Sequence, residues 1–196
     1  MSNTETFRPL ITENTKFQPV KQIYNGFEIE KRFLLMTKEE DTSKNKNGLE
    51  IYNEVLEGGT IIKQGYIMDI QRAKDILDEL EIELDFKPNT IRFRQYGKDY
   101  ILTVKDRKDT KKREVEWELS KKQFNAYWPE TQGNRVEKKR LVKTIKKHKV
   151  EIDAFTDRFL LIAEIEVSDE AMMDKLPKLG MDITGNKNWS NKALSK

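Results

Sequence analysis

Charged and apolar residues alternate with a period of two over much of this chain. The pattern begins at Glu28-Ile29-Glu30-Lys31-Arg32, where an extended backbone sends Glu28, Glu30 and Arg32 to one face and Ile29 to the other. It returns at Arg92/Arg94, Thr103/Lys105, Glu114/Glu116/Glu118, Lys138/Arg140, Glu151/Asp153 and Glu164/Glu166, with mostly apolar residues between. Together with the segment Ile61 to Met68, which precedes a helical stripe, this predicts strands over 27–36, 61–68, 91–96, 100–105, 113–119, 136–145, 149–155 and 159–167.

Elsewhere the spacing becomes helical. Leu49, Tyr52 and Leu56 precede the stop Gly58-Gly59, and Ile70, Ala73, Ile76, Leu77 and Leu80 form one apolar stripe over 70–82. Ser120 with Gln123 reads as a capping box for a short helix over 121–128. Ser168 is placed to cap a last helix over 169–175, closed by Pro177. Residues 38–48 are charged and Asn-rich, as a loop would be, and 97–99 read as a hairpin turn. Residues 1–22 show no clear period and are expected to be a flexible or loosely docked arm, leaving 23–196 as one domain.

Alternation alone does not say which face meets water, because ordinary half-buried strands also put charges on solvent. Two features favour the opposite arrangement. The amphipathic helices need an apolar surface to lie on, which the outside of a barrel with a polar interior would supply. The charges also sort by strand: Arg92/Arg94, Lys105 and Lys138/Arg140 are basic, whereas Glu114/Glu116, Glu151/Asp153 and Glu164/Glu166 are acidic. The expected fold is therefore α+β, a closed eight-stranded antiparallel β-barrel forming a tunnel with a charged interior and helices packed outside.

Composition narrows the chemistry. The chain has 196 residues, with 37 Lys and Arg against 34 Asp and Glu, too small an excess for a dedicated nucleic-acid binder. It has no cysteine, which excludes disulfides, thiolate catalysis and Cys-ligated metal centres, and its single histidine, His148, sits in a Lys-rich turn. No apolar run reaches membrane-spanning length and no secretory leader is evident, so a cytoplasmic protein with no membrane partner is expected. A tunnel lined with both signs of charge is costly unless a ligand answers both. A polyphosphate with a divalent metal does so: carboxylates suit Mg²⁺ or Mn²⁺, and guanidinium forks suit phosphoryl oxygens.

Taken in order, these segments resemble the CYTH domain proteins of the triphosphate tunnel metalloenzyme superfamily. Glu28-x-Glu30-x-Arg32 is similar to the family's opening Glu-x-Glu-x-Lys, with Arg for Lys. Lys63-Gln64-Gly65-Tyr66-Ile67 resembles Arg-Gln-Gly-Tyr-Leu, Ile91-Arg92-Phe93-Arg94 resembles Val-Arg-Ile-Arg, and Leu102-Thr103-Val104-Lys105 resembles Leu-Thr-Ile-Lys. Glu114 to Glu118, Glu137 to Arg140, Glu151 to Phe155 and Ala163 to Val167 continue the series, and Asp182-Ile183-Thr184-Gly185 with Trp189 and Asn191 ends it.

The resemblance implies that Glu28, Glu30 and Glu166 bind metal, with Glu164 supporting a second metal or orienting water. It implies that Arg32, Arg92, Arg94, Lys105, Lys138 and Arg140 hold the triphosphate. Glu114, Glu116, Glu151 and Asp153 become supporting acidic residues. Tyr66 is expected near Lys138, whose ammonium would lower the phenol's pKa and make it a proton acceptor. Lys187 and Lys192 could reach one tunnel mouth. The function this implies is divalent-metal-dependent hydrolysis of inorganic triphosphate or an organic triphosphate such as thiamine triphosphate or a nucleotide. The alternatives are a class IV adenylate cyclase, an RNA 5′-triphosphatase whose partner would be triphosphate-ended RNA, and a non-catalytic polyphosphate or nucleotide binding module. The oligomeric state is not readable.

Overall fold

The structure, a computed structural model, describes residues 17–37, 46–88, 90–108 and 111–195. Among these residues ten strands form one sheet: β1 (Lys21–Glu28), β2 (Glu30–Thr37), β3 (Thr60–Ile67), β4 (Thr90–Tyr96), β5 (Asp99–Lys108), β6 (Lys111–Leu119), β7 (Arg135–Ile145), β8 (His148–Phe155), β9 (Leu160–Glu166) and β10 (Met181–Asp182). Their order is β1-β6-β5-β4-β3-β7-β8-β9-β2-β10, and the recorded pairings are antiparallel. All eight predicted strands are present. The sheet nevertheless counts ten, and its hydrogen-bonded order has two ends instead of closing on itself.

The extra strands have identifiable causes. The predicted first strand divides at Ile29: β1 before it pairs with β6, and β2 after it pairs with β9. Lys21 and Gln22, expected to belong to the N-terminal arm, lie in β1, while residues 1–16 of that arm lie outside the described residues. The two-residue β10 docks on β2, Met181 opposite Leu34. Gly97 turns β4 into β5 with φ of 59°, which a side chain would resist.

The apolar faces of the central strands are buried under helices. Ile91, Phe93, Leu102, Val104, Val115 and Trp117 pack against α2 (Ile70–Glu79) through Ala73, Ile76 and Leu77, and against α3 (Lys121–Tyr127) through Phe124 and Tyr127. Phe33, Ile152, Ala154, Ala163 and Ile165 pack against Tyr52 and Val55 of α1 (Lys46–Gly58). Asp69 caps α2 by accepting from the amides of Gln71 and Arg72, and Ser120 with Gln123 forms the expected capping box on α3. The predicted loop over 38–48 lies outside the described residues as far as residue 45. The predicted last helix is a 3₁₀ turn, Glu170–Lys175, capped by Asp169 and not Ser168. No helix among the described residues is long and apolar enough to cross a membrane.

On the other face the ionic positions give way to hydrocarbon toward one end. Leu34, Val136, Phe155, Leu160 and Ile162 continue the parity of Arg32, Lys138, Asp153 and Glu164, and they cluster with Ile183. Trp189 and Leu194, the latter in α4 (Asn191–Leu194), pack against this cluster. The C-terminal segment thereby covers one end of the charged face.

Candidate active site

The ladder register places the charged side chains in rows. Tyr66, Arg92, Thr103 and Glu116 stand opposite one another across β3, β4, β5 and β6, and Lys105 stands opposite Glu114. Arg92 Nη2 donates to Thr103 Oγ1 at 2.9 Å, Glu114 Oε1 at 3.1 Å and Glu116 Oε1 at 3.2 Å. Arg94 Nη2 donates to Glu116 Oε1 at 3.0 Å. Lys105 Nζ reaches Glu114 Oε2 at 2.5 Å and donates to Glu28 Oε2 at 3.0 Å, which ties β1 to this wall.

A second network spans β7, β8, β9 and β2. Arg140 donates to Asp153 through Nε and Nη2, both at 2.7 Å, to Glu164 Oε2 at 3.0 Å, and to Glu151. Lys138 Nζ donates to Asp153, and both residues are only 1% exposed. Arg32 Nε donates to Glu164 Oε1 at 2.8 Å, and its Nη1 donates to the Trp189 carbonyl at 3.0 Å. Arg32 thus spans from the acidic strands to the C-terminal segment, a contact across 157 residues of sequence.

Between the walls lies a cavity of about 450 Å³. Of the residues predicted to form the site, Glu28, Glu30, Arg32, Tyr66, Arg92, Arg94, Lys105, Arg140, Glu151, Glu164 and Glu166 line it. Glu114 and Glu116 line a second cavity of about 300 Å³, which shares Glu28, Arg94, Arg140, Lys149, Glu151 and Glu166 with the first. Lys192 lines the larger cavity and donates to Thr90 Oγ1 at 3.2 Å. Lys187 lines neither cavity.

Two predicted site residues stand apart from the cavity. Lys138 and Asp153 line neither cavity but lie behind its wall, paired to each other. Lys138 stands opposite Ile62, four residues along β3 from Tyr66. Burial raises the Tyr66 pKa, and the cations that partly offset this are Arg92 and Lys105. Sequence reasoning also passed over Gln64, which is buried on β3 and lines the larger cavity. Its signal was its place two residues before Tyr66, on the same strand face.

Electrostatics divide the site into a compensated part and an acidic part. Burial works against ionisation of Glu114, Glu116 and Asp153. The cations facing each of them (Arg92 and Lys105, Arg94 and Arg92, Lys138 and Arg140) still hold their carboxyls below the usual range. Glu166 goes the other way: burial, then Glu28 and Glu151, push its carboxyl up. Glu30 stands directly opposite Glu166 across β2 and β9, an arrangement of like charges that destabilises a sheet. No group of three or more carboxylates or imidazoles among the described residues is already gathered tightly enough to hold a metal ion. The residues nevertheless fit one, because Glu28, Glu30 and Glu166 offer hard oxygen donors to one cavity, at a place where neighbouring carboxylates push the Glu166 carboxyl up.

The depressed carboxyls carry a pH consequence. A group whose folded pKa lies below its unfolded value adds stability above the unfolded value, and that stability is lost as pH falls through the folded one. The thermal midpoint should therefore fall steeply below about pH 4, and Asp153→Asn should flatten that fall. Melting curves from neutral pH to pH 2.5 that stay level would show that these pairs do not hold the fold.

No family model matches the chain. Over 111 residues it is 32% identical to an inorganic triphosphatase of Nitrosomonas europaea, an alignment covering 54% of this chain and 74% of that protein. The crystal structure of an inorganic triphosphatase superposes with a TM-score of 0.52 at 25% identity, covering 86% of this chain and 93% of the other. A second crystal structure, of a protein called hypothetical, gives 0.51 at 25% identity, covering 86% and 96%.

Proposed function

The chain belongs to the CYTH family of triphosphate tunnel metalloenzymes, and on that footing we propose that it hydrolyses inorganic triphosphate to pyrophosphate and phosphate within the larger cavity. One observation carries this reading: Arg92, Arg94, Lys105 and Arg140 line the same cavity as Glu28, Glu30 and Glu166. Cations for phosphoryl oxygens and carboxylates for a divalent ion thus face one volume, as a metal triphosphate requires.

We also infer that the sheet wraps round this cavity as a tunnel. β1 and β2 are separated by Ile29 alone, yet one ends its ladder on β6 and the other on β9. Taken as two halves of one strand, they complete an eight-stranded barrel to which β10 is an accessory.

In this reading Arg92, Arg94, Lys105 and Arg140 exchange some of their carboxylate contacts for phosphoryl oxygens. Glu114, Glu116, Glu151 and Asp153 keep the guanidinium and ammonium groups oriented before the substrate arrives. Both Glu164 oxygens already accept, from Arg32 and Arg140, so Glu164 positions those cations. Arg32 joins Glu164 to the C-terminal segment, which gives it a positioning role. Tyr66 is protonated at neutral pH because burial raises its pKa, so Oη serves as a hydrogen-bond donor to the departing pyrophosphate. A divalent ion, Mg²⁺ or Mn²⁺, would be held by Glu28, Glu30 and Glu166 and would neutralise charge on the triphosphate.

The test is a product panel. With Mg²⁺ or Mn²⁺, inorganic triphosphate should release phosphate faster than thiamine triphosphate, ATP or triphosphate-ended RNA, and chelation should abolish the release. Cyclic AMP and pyrophosphate from ATP would replace this reading with a cyclase. Tight binding without any product would leave a binding module.

A further inference from the structure

Three buried nitrogen donors on the β3–β4 wall have no hydrogen-bond partner in the protein: Gln64 Nε2, Arg92 Nε and Arg94 Nε. Gln64 stands directly opposite Arg94 in the ladder, and Arg92 is opposite Tyr66, two residues further along. All three side chains line the larger cavity, and Gln64 is only 2% exposed. A buried donor left without an acceptor is costly, and native interiors keep few of them. Three on adjacent rows, all of one sense, call for a ligand that is all acceptor. A phosphoryl group, with its non-bridging oxygens, meets that requirement, whereas a hydroxyl or an amine would bring donors of its own. Two buried acceptors also lack a hydrogen bond, and neither belongs to this wall: Glu114 Oε2 on β6 is answered by the Lys105 ammonium at 2.5 Å, and Asn191 Oδ1 lies on the α4 side of the cavity.

We propose that Gln64 is a substrate-binding residue whose Nε2 donates to a phosphoryl oxygen of the triphosphate shared with Arg94. The inference rests on the triphosphatase reading and adds a neutral donor to a grip otherwise made of charges. Neutrality has a function here. Cationic contacts weaken with ionic strength, but a carboxamide donor holds its oxygen at any salt concentration and adds no further repulsion between crowded cations. The amide also fixes direction: its planar N–H aims one oxygen at the β3–β4 wall, while a lysine at the same position would act as a point charge.

The experiment is calorimetric titration of the full chain with inorganic triphosphate and Mg²⁺ at several salt concentrations, for wild type, Gln64→Met and Arg94→Ala, alongside melting of each apo protein. Gln64→Met removes the donor at nearly constant volume. It should weaken triphosphate binding by about tenfold or more, as expected for one hydrogen bond to a charged group, by the same factor at every salt concentration. Its apo melting temperature should equal or exceed that of wild type, because an unmatched buried donor has gone. Arg94→Ala should weaken binding and also reduce its salt dependence. If Gln64→Met binds triphosphate within twofold of wild type, the amide is satisfied by water or by the fold and the proposal is overturned, while the triphosphatase reading stands. If wild type does not bind triphosphate, both fall. Should Gln64→Met not fold, Gln64→Leu, which likewise removes the donor without adding charge, reads the same loss.

Discussion

Glu166→Gln is expected to lower metal-dependent triphosphate hydrolysis by about a thousandfold and, in the same variant, to raise the melting temperature of the metal-free protein. The two effects share one cause. Glu30 faces Glu166 across the ladder, with Glu28 two residues before it, and the Glu166 carboxyl is pushed up by burial and then by Glu28 and Glu151. The fold holds these carboxylates together at a cost, and neutralising one relieves about 0.2–1 kcal/mol of cross-strand repulsion. The same neutralisation removes a hard oxygen donor from the proposed divalent site. Metal stabilisation of phosphoryl charge amounts to several kcal/mol, and each 1.36 kcal/mol is tenfold in rate, which gives the thousandfold figure. Glu28→Ala should separate the two effects: Glu28 also accepts from Lys105 at 3.0 Å, so its loss should abolish turnover without stabilising the apo protein. Turnover at limiting Mn²⁺ and apo melting curves check both variants. Wild-type activity in Glu166→Gln at limiting metal would remove the carboxylates from the metal site.

The alternation that exposed these strands is a local property, and local properties were legible. Apolar positions between charges such as Phe93, Val104, Val115, Ile152 and Ile165 are buried on the helix-covered face. What the alternation could not reveal was partnership. Nothing between Glu28 and Glu30 marks a change of strand, because β1 and β2 differ only in which distant strand each meets. β1 was legible only at its C-terminal end: Ile23, Tyr24 and Phe27 are all exposed, so no burial period runs through it. Parity placed Lys138 and Tyr66 on the same face but did not give their rows, which lie four residues apart along β3. Gln64 was passed over for a related reason. The reading followed charge, and an uncharged amide draws attention only when its buried nitrogen is seen to lack a partner.

Lys138 was expected to touch substrate, and the structure makes it half of a buried pair, so stability is where its loss should be felt. Asp153 accepts from Lys138 and from both Nε and Nη2 of Arg140, and it is 1% exposed. Asp153→Ala strands a buried ammonium and frees two guanidinium donors, so it should cost about 3–5 kcal/mol. Lys138→Met should cost less, about 1–3 kcal/mol, because Asp153 keeps both bonds from Arg140 and the methionine fills the space against Phe155, whose ring lies 5.9 Å from the ammonium. The double variant should be more stable than Asp153→Ala alone, since it no longer buries an unpaired charge. Urea unfolding of the four proteins measures this coupling, and strictly additive losses would show that the pair does not interact. Activity supplies the second arm. Below its melting range Lys138→Met should retain triphosphate turnover within a few fold, whereas a hundredfold loss in KM or kcat in the folded variant would return Lys138 to the substrate.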